Sequence, residues 1–146
     1  MTLSYIFASI IAIRKSITMD NRILDLFMKE NDAWDDMITR QSREIPTLER
    51  TLSEIFTDRK GVGRDTLANV TFLRAEMLSQ EKQMVEIRND LARQQSLLAR
   101  EMRSDADPFA IQTVNSQNIL RERIKKVERT FLDLKCNFLN YLATIM

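Results

Sequence analysis

From Leu120 to Ile145, apolar residues return at alternating intervals of four and three: Leu120, Ile124, Val127, Phe131, Leu134, Phe138, Tyr141 and Ile145. A repeat of 3.5 residues lays these side chains along one stripe of a helix and defines a coiled-coil seam. A strand, with its period of two, would scatter them over both faces. The same frame runs through Val70, Leu73, Met77, Met84, Ile87, Leu91 and Leu98, with Gln80 and Gln94 on the seam. It runs again through Leu24, Phe27, Trp34, Ile38, Ile45, Leu48, Leu52 and Ile55, with Asn31 and Gln41 on the seam. The chain reads as all-α. Its turn-formers agree: 146 residues hold two Gly and two Pro, where average usage would supply about ten and about seven.

Gly61 and Gly63 mark one loop, and Asp105-Ala-Asp-Pro108 marks a second. In the latter, Asp107 suits a helix cap and Pro108 suits a first turn, where its missing N–H has no partner to lose. Three helices are expected, over residues 20–57, 65–104 and 107–146, each about 60 Å long at about 1.5 Å per residue. Short links between equal helices predict an up-down-up antiparallel coiled-coil bundle. It forms one domain over residues 19–146, preceded by an apolar extension over 1–18. Pro46 falls inside the first helix without slipping the frame, and predicts a kink there or two helices nearly in line. Counting outward from each loop sets Gln41 opposite Gln80 and Gln94 opposite Gln117. A lone buried amide costs about 1–3 kcal/mol, whereas a paired one is roughly neutral. Asn31 has no counterpart in this count and is expected to face solvent or a second chain.

Chemistry finds little to work with. The chain has no His, and so lacks the commonest general base and the commonest metal ligand. Cys136, alone, cannot form an internal disulfide and reads as a small hydrophobe. Asp32, Asp35 and Asp36 cluster around Trp34, but helical di-metal sites combine carboxylates with Glu-x-x-His, so the cluster reads as a solvated face. Gly61-Val-Gly63 lacks the strand context and the trailing Lys-Ser/Thr of a phosphate loop. No Ser or Cys has a visible base. Neither an enzyme nor a metal or cofactor is expected. A net charge of +1 argues against a dedicated nucleic-acid binder. The basic stretch Arg121–Arg129 flanks the seam residues Ile124 and Val127, where coiled coils carry charge, and Glu122 with Lys126 is spaced as a helix ion pair.

Two apolar features exceed what a bundle core needs. Leu132, Cys136, Leu139, Leu142 and Met146 form a second stripe beside the seam of the third helix. A helix apolar on most sides is normally buried on most sides, so Phe131, Leu132, Phe138, Leu139, Tyr141 and Leu142 are the candidate partner interface. On this reading the isolated chain self-associates unless a partner covers it. The uncharged run Leu3–Ile13, followed by Arg14 and Lys15, is shorter than the roughly twenty residues that cross a bilayer and lacks a convincing signal-peptide pattern. Leu3, Ile6, Ile10, Ile13 and Ile17 continue the frame of the first helix. The run therefore extends that helix toward a partner, is dispensable with Met19 as an alternative start, or contacts a membrane. The expected function is that of a cytoplasmic, non-enzymatic structural or adaptor subunit of a larger coiled-coil complex, binding other helical subunits. The alternative is a membrane-associated helical regulator anchored by Leu3–Ile13.

Overall fold

The computed structural model describes the backbone of residues 2–58, 64–103 and 111–145, and the side chains of residues 22–57, 67–103 and 112–145. These form three helices, α1 (Thr2–Asp58), α2 (Arg64–Arg103) and α3 (Ile111–Ile145). No strand occurs among the described residues. Gly61, Gly63, Asp107 and Pro108 lie outside them. The stretch 2–18 is continuous with α1 as backbone helix, and α1 is uninterrupted through Pro46. Pro46 faces solvent, on the side where a carbonyl deprived of its helical donor is readily hydrated.

The seam forms the core as its spacing demands. Ile38, Ile45, Leu52, Met77, Met84, Ile87, Leu120, Ile124, Phe131, Leu134 and Phe138 belong to one buried cluster, and Trp34, Met37 and Leu48 pack partly buried against it. Cross-helix contacts give the topology. Arg74 Nη2 donates to Ser53 Oγ at 3.1 Å and Gln95 Nε2 to Asp32 Oδ1 at 3.0 Å, so α1 and α2 are antiparallel. Glu30 pairs with Arg121 and Glu44 with Lys135, so α1 and α3 are parallel. The molecule is the up-down-up three-helix bundle.

One amide pair forms and the other does not. Gln94 Nε2 donates to Gln117 Oε1 at 3.2 Å, deep in the core. Gln41 and Gln80 are out of level. Ser42 Oγ lies 3.3 Å from Met84 Sδ, which sets Gln41 near residue 85, about 7 Å along the axis from Gln80 at about 1.5 Å per residue. Part of the offset has a simple cause. Helical side chains lean toward their own N-terminus, so touching residues of an antiparallel pair each sit about one position C-terminal to the spot they cover. Gln80 instead donates to the Val127 carbonyl on α3 at 3.0 Å, and Gln41 Oε1 and Gln80 Oε1 are buried without protein partners.

Asn31 corrects the sequence-based expectation outright. It is 2% exposed, and its Oδ1 accepts from Gln117 Nε2 at 2.8 Å. Asn31, Gln117 and Gln94 thus make a three-amide layer across the bundle, with Gln94 also donating to the Thr113 carbonyl at 3.3 Å. Leu24 and Leu98, fully buried, stand outside the main cluster. Their position in the register puts them on the far side of that layer. Replacing one amide strands its neighbours, so Gln117→Leu is expected to lower the unfolding free energy by about 1–3 kcal/mol. The triple change Asn31→Leu, Gln94→Leu and Gln117→Leu is expected to be neutral or stabilising. Urea unfolding followed by circular dichroism measures both.

Candidate functional site

The six residues proposed from sequence as a partner surface divide into two sets. Phe131 and Phe138 are each 2% exposed and Tyr141 is 7% exposed, all within the bundle's own core. Leu142 packs partly buried against it. Leu132 and Leu139 are exposed, at 52% and 56%. The large aromatics on the seam are consumed by intramolecular packing, which leaves the neighbouring stripe outside. Cys136 and Ala143, exposed as well, complete that stripe at the same alternating four- and three-residue spacing. Leu132, Cys136, Leu139 and Ala143 form a continuous apolar ridge along the outer side of α3.

The basic stretch of α3 is largely spent inside the molecule. Arg121 donates from Nη2 to Glu30 Oε1 at 2.7 Å and from Nε to Glu30 Oε2 at 3.0 Å, a two-pronged pair between α3 and α1. Gln117 Nε2 adds a third donor to Glu30 at 2.9 Å and ties the pair to the amide layer. Burial pushes the Glu30 carboxyl up, but the hydrogen bonds from Arg121 and Gln117 and the charges of Arg121 and Lys125 outweigh it and hold the group below its ordinary value of 4.5. Arg123 pairs with Asp90 of α2, which Arg93 also contacts. Lys125, and not Lys126, takes Glu122, at 3.3 Å.

A second exposed apolar set lies along the groove between α1 and α2. Leu67, Leu78, Val85 and Met102 of α2 and Phe56 of α1 are 41% to 67% exposed. Leu78 and Val85, one heptad apart, flank the α1-facing edge of α2 defined by Arg74, Glu81, Arg88 and Gln95. Sequence reasoning missed this set, although the seven-residue spacing of Leu78 and Val85 outside the seam was the available signal. A cavity of about 190 Å³ opens in the same groove, lined by Asn31, Asp32, Asp35, Arg88, Leu91, Ala92 and Gln95. Further along it, Glu49 and Glu81 approach each other. Burial first, then the charge and contact of Glu49, hold the Glu81 carboxyl above its ordinary value of 4.5. Neither carboxylate forms an ion pair among the described residues.

A wider hollow of about 500 Å³ between α2 and α3 is lined by Glu76, Ser79, Gln80, Thr130, Asp133, Leu134, Cys136 and Asn137. Its lining holds two carboxylates, Glu76 and Asp133, and no Lys or Arg. Among the described residues no group of three or more potential ligands is placed to hold a metal ion. None of their helices is long and apolar enough to cross a membrane. No family model matches the chain, and the comparisons with curated proteins and with solved structures found no match.

Adjacent residues of α3 are expected to behave oppositely. Phe138→Ala is expected to cost about 3–5 kcal/mol of stability, whereas Leu139→Ala stays within about 0.5 kcal/mol. Thermal unfolding distinguishes them. The two perturbed glutamates also have opposite signs. Glu30, lowered in the folded state, contributes stability that is present above pH 4.5 and is lost as pH falls through its lower folded value. Glu81, raised, costs stability at neutral pH and costs none once pH falls below 4.5. Glu30→Gln is therefore expected to lower Tm at pH 7, and Glu81→Gln to raise it by about 1–3 °C. Both differences fade in acid, and calorimetry across pH 3–7 reads them.

Proposed function

We propose that this chain is a non-enzymatic structural or adaptor subunit that works by presenting helical faces to other helical proteins in a larger complex. The observation that carries the proposal is the exposed ridge Leu132–Cys136–Leu139–Ala143 on α3. Scattered surface leucines need no explanation, but a continuous apolar stripe at coiled-coil spacing is the form of surface that another helix covers. The bundle's core closes without this ridge, so the fold itself gives no reason for it to be apolar. Complexes of the trafficking, kinetochore and cytoskeletal kind are assembled from such subunits, an analogy of architecture alone. The alternative, a membrane-associated regulator, draws support from α1, whose backbone helix carries the Leu3–Ile13 segment. Removing residues 1–18 is expected to abolish vesicle association on that alternative, and to leave capture of a helical partner intact on the first.

The decisive variant is Leu132→Asp with Leu139→Asp, which is expected to leave helicity and Tm nearly unchanged because both positions face water. Affinity capture of stoichiometric partners is expected to fall at least tenfold, since each leucine gains about 1.5–3 kcal/mol on full burial. Undiminished capture by the doubly substituted chain would rule out the ridge as the contact.

A further inference from the structure

Helix α1 has 57 residues against 40 in α2 and 35 in α3. The Asp32–Gln95 contact sets Arg103, where α2 ends, level with about Leu24 of α1. The Asn31–Gln117 contact sets Ile111, where α3 begins, at nearly the same level. Residues 2–22 of α1 therefore run past the described ends of both neighbouring helices for about 30 Å, at about 1.5 Å per residue. In this stretch Leu3, Ile6, Ile10, Ile13 and Ile17 keep the frame that lower down builds the core. From Thr2 to Met19 it has two charges, Arg14 and Lys15, and no acid.

We propose that two copies of the chain pair about a two-fold axis, each laying residues 2–22 of α1 antiparallel into the α1–α2 groove of the other as its fourth helix. Three observations select this occupant. The first is length: when the two bundles meet end to end, each overhang spans the other copy's α1 from about Leu24 to about Glu44. The second is charge. In that overlap Arg14 comes level with Asp32 of the other copy, and Asp35 lies three residues further along, about 5 Å at about 1.5 Å per residue. Asp32 is held by the neutral Gln95 at 3.0 Å, and Asp35 has its nearest cation, Arg88, at 4.0 Å. The third is surface: the groove at these levels offers the exposed Val85 and Ala92 and the cavity lined by Asn31 and Ala92. Asn31 Nδ2, buried beside that cavity, has no protein partner. A two-fold arrangement uses both overhangs and both grooves, so it closes at two copies and does not propagate into fibres. A bilayer suits the overhang less well, because Leu3–Ile13 is about half the length that spans one. The α3 ridge stays outside this contact, so the pairing holds or fails independently of the proposed adaptor role.

Sedimentation velocity on the full chain tests the proposal. A dimer is expected at micromolar concentration. Arg14→Glu with Lys15→Glu is expected to weaken it at least tenfold, Asp32→Lys with Asp35→Lys to do the same, and the four changes together to restore it. In a Cys136→Ser background, mixing Ile10→Cys chains with Ala92→Cys chains is expected to yield a disulfide between copies under mild oxidation. A monomer overturns the proposal, as does a monomer that co-sediments with anionic vesicles. A dimer indifferent to Asp32 and Asp35 that forms no such disulfide overturns it too, because the overhangs then pair only with each other.

Discussion

Three amides that meet across the core, Asn31, Gln117 and Gln94, are what make this bundle one structure and not several. Heptad seams are permissive about register, because sliding a helix by seven residues sets Leu, Ile and Val against much the same neighbours. A slip here would set each amide against aliphatic side chains, at about 1–3 kcal/mol for every group left unpaired. That penalty falls on three residues from three different helices, so it fixes all three axial positions together. Glu30 and Arg121 depend on this alignment. They form their two-pronged pair at the edge of the amide layer, where Gln117 donates to both Asn31 and Glu30.

The helices and their buried faces were legible in the sequence to a degree that the contacts between them were not. Seam positions from Leu24 to Tyr141 are buried or partly buried where the frame puts them, because periodicity is a property of one helix at a time. Register belongs to pairs of helices. Counting from the loops succeeded for Gln94 with Gln117 and failed for Gln41 with Gln80, since side-chain lean and the point of hairpin closure shift the level of touching residues. Asn31 was misplaced for a related reason. The count matched helices two at a time, while the mate of Asn31 lies on α3, which is parallel to α1 and not joined to it by any loop.

The exposed surface has two apolar tracts, and the register separates them. The α3 ridge of Leu132 and Leu139 lies on the outer side of the third helix. The Leu78 and Val85 tract lies over the groove where α2 meets α1, interspersed with Asp32, Asp35, Glu49 and Glu81 on the adjoining edges. The first is uncharged along its length, and the second combines aliphatics with charges of both signs, Arg74 and Arg88 standing among the acids. On the proposed reading, surfaces so different in chemistry would take different helices, and a single chain could hold both at once.

Core and exposed ridge nevertheless share one helix at a spacing of a single residue. Neighbours on an α-helix point about 100° apart, so Phe131 and Phe138 fill the core while Leu132 and Leu139, each one position on, remain outside. Mean hydropathy cannot separate two such roles, because it assigns all four residues to one greasy tract. The frame can. Applied strictly, it reserves the aromatics for the bundle and leaves the leucines over, and the apolar excess near the end of α3 shrinks from a helix buried on all sides to one narrow ridge. On the proposed reading, a ridge of that width matches the seam of a single additional helix and would confine this face to a contact as narrow as itself.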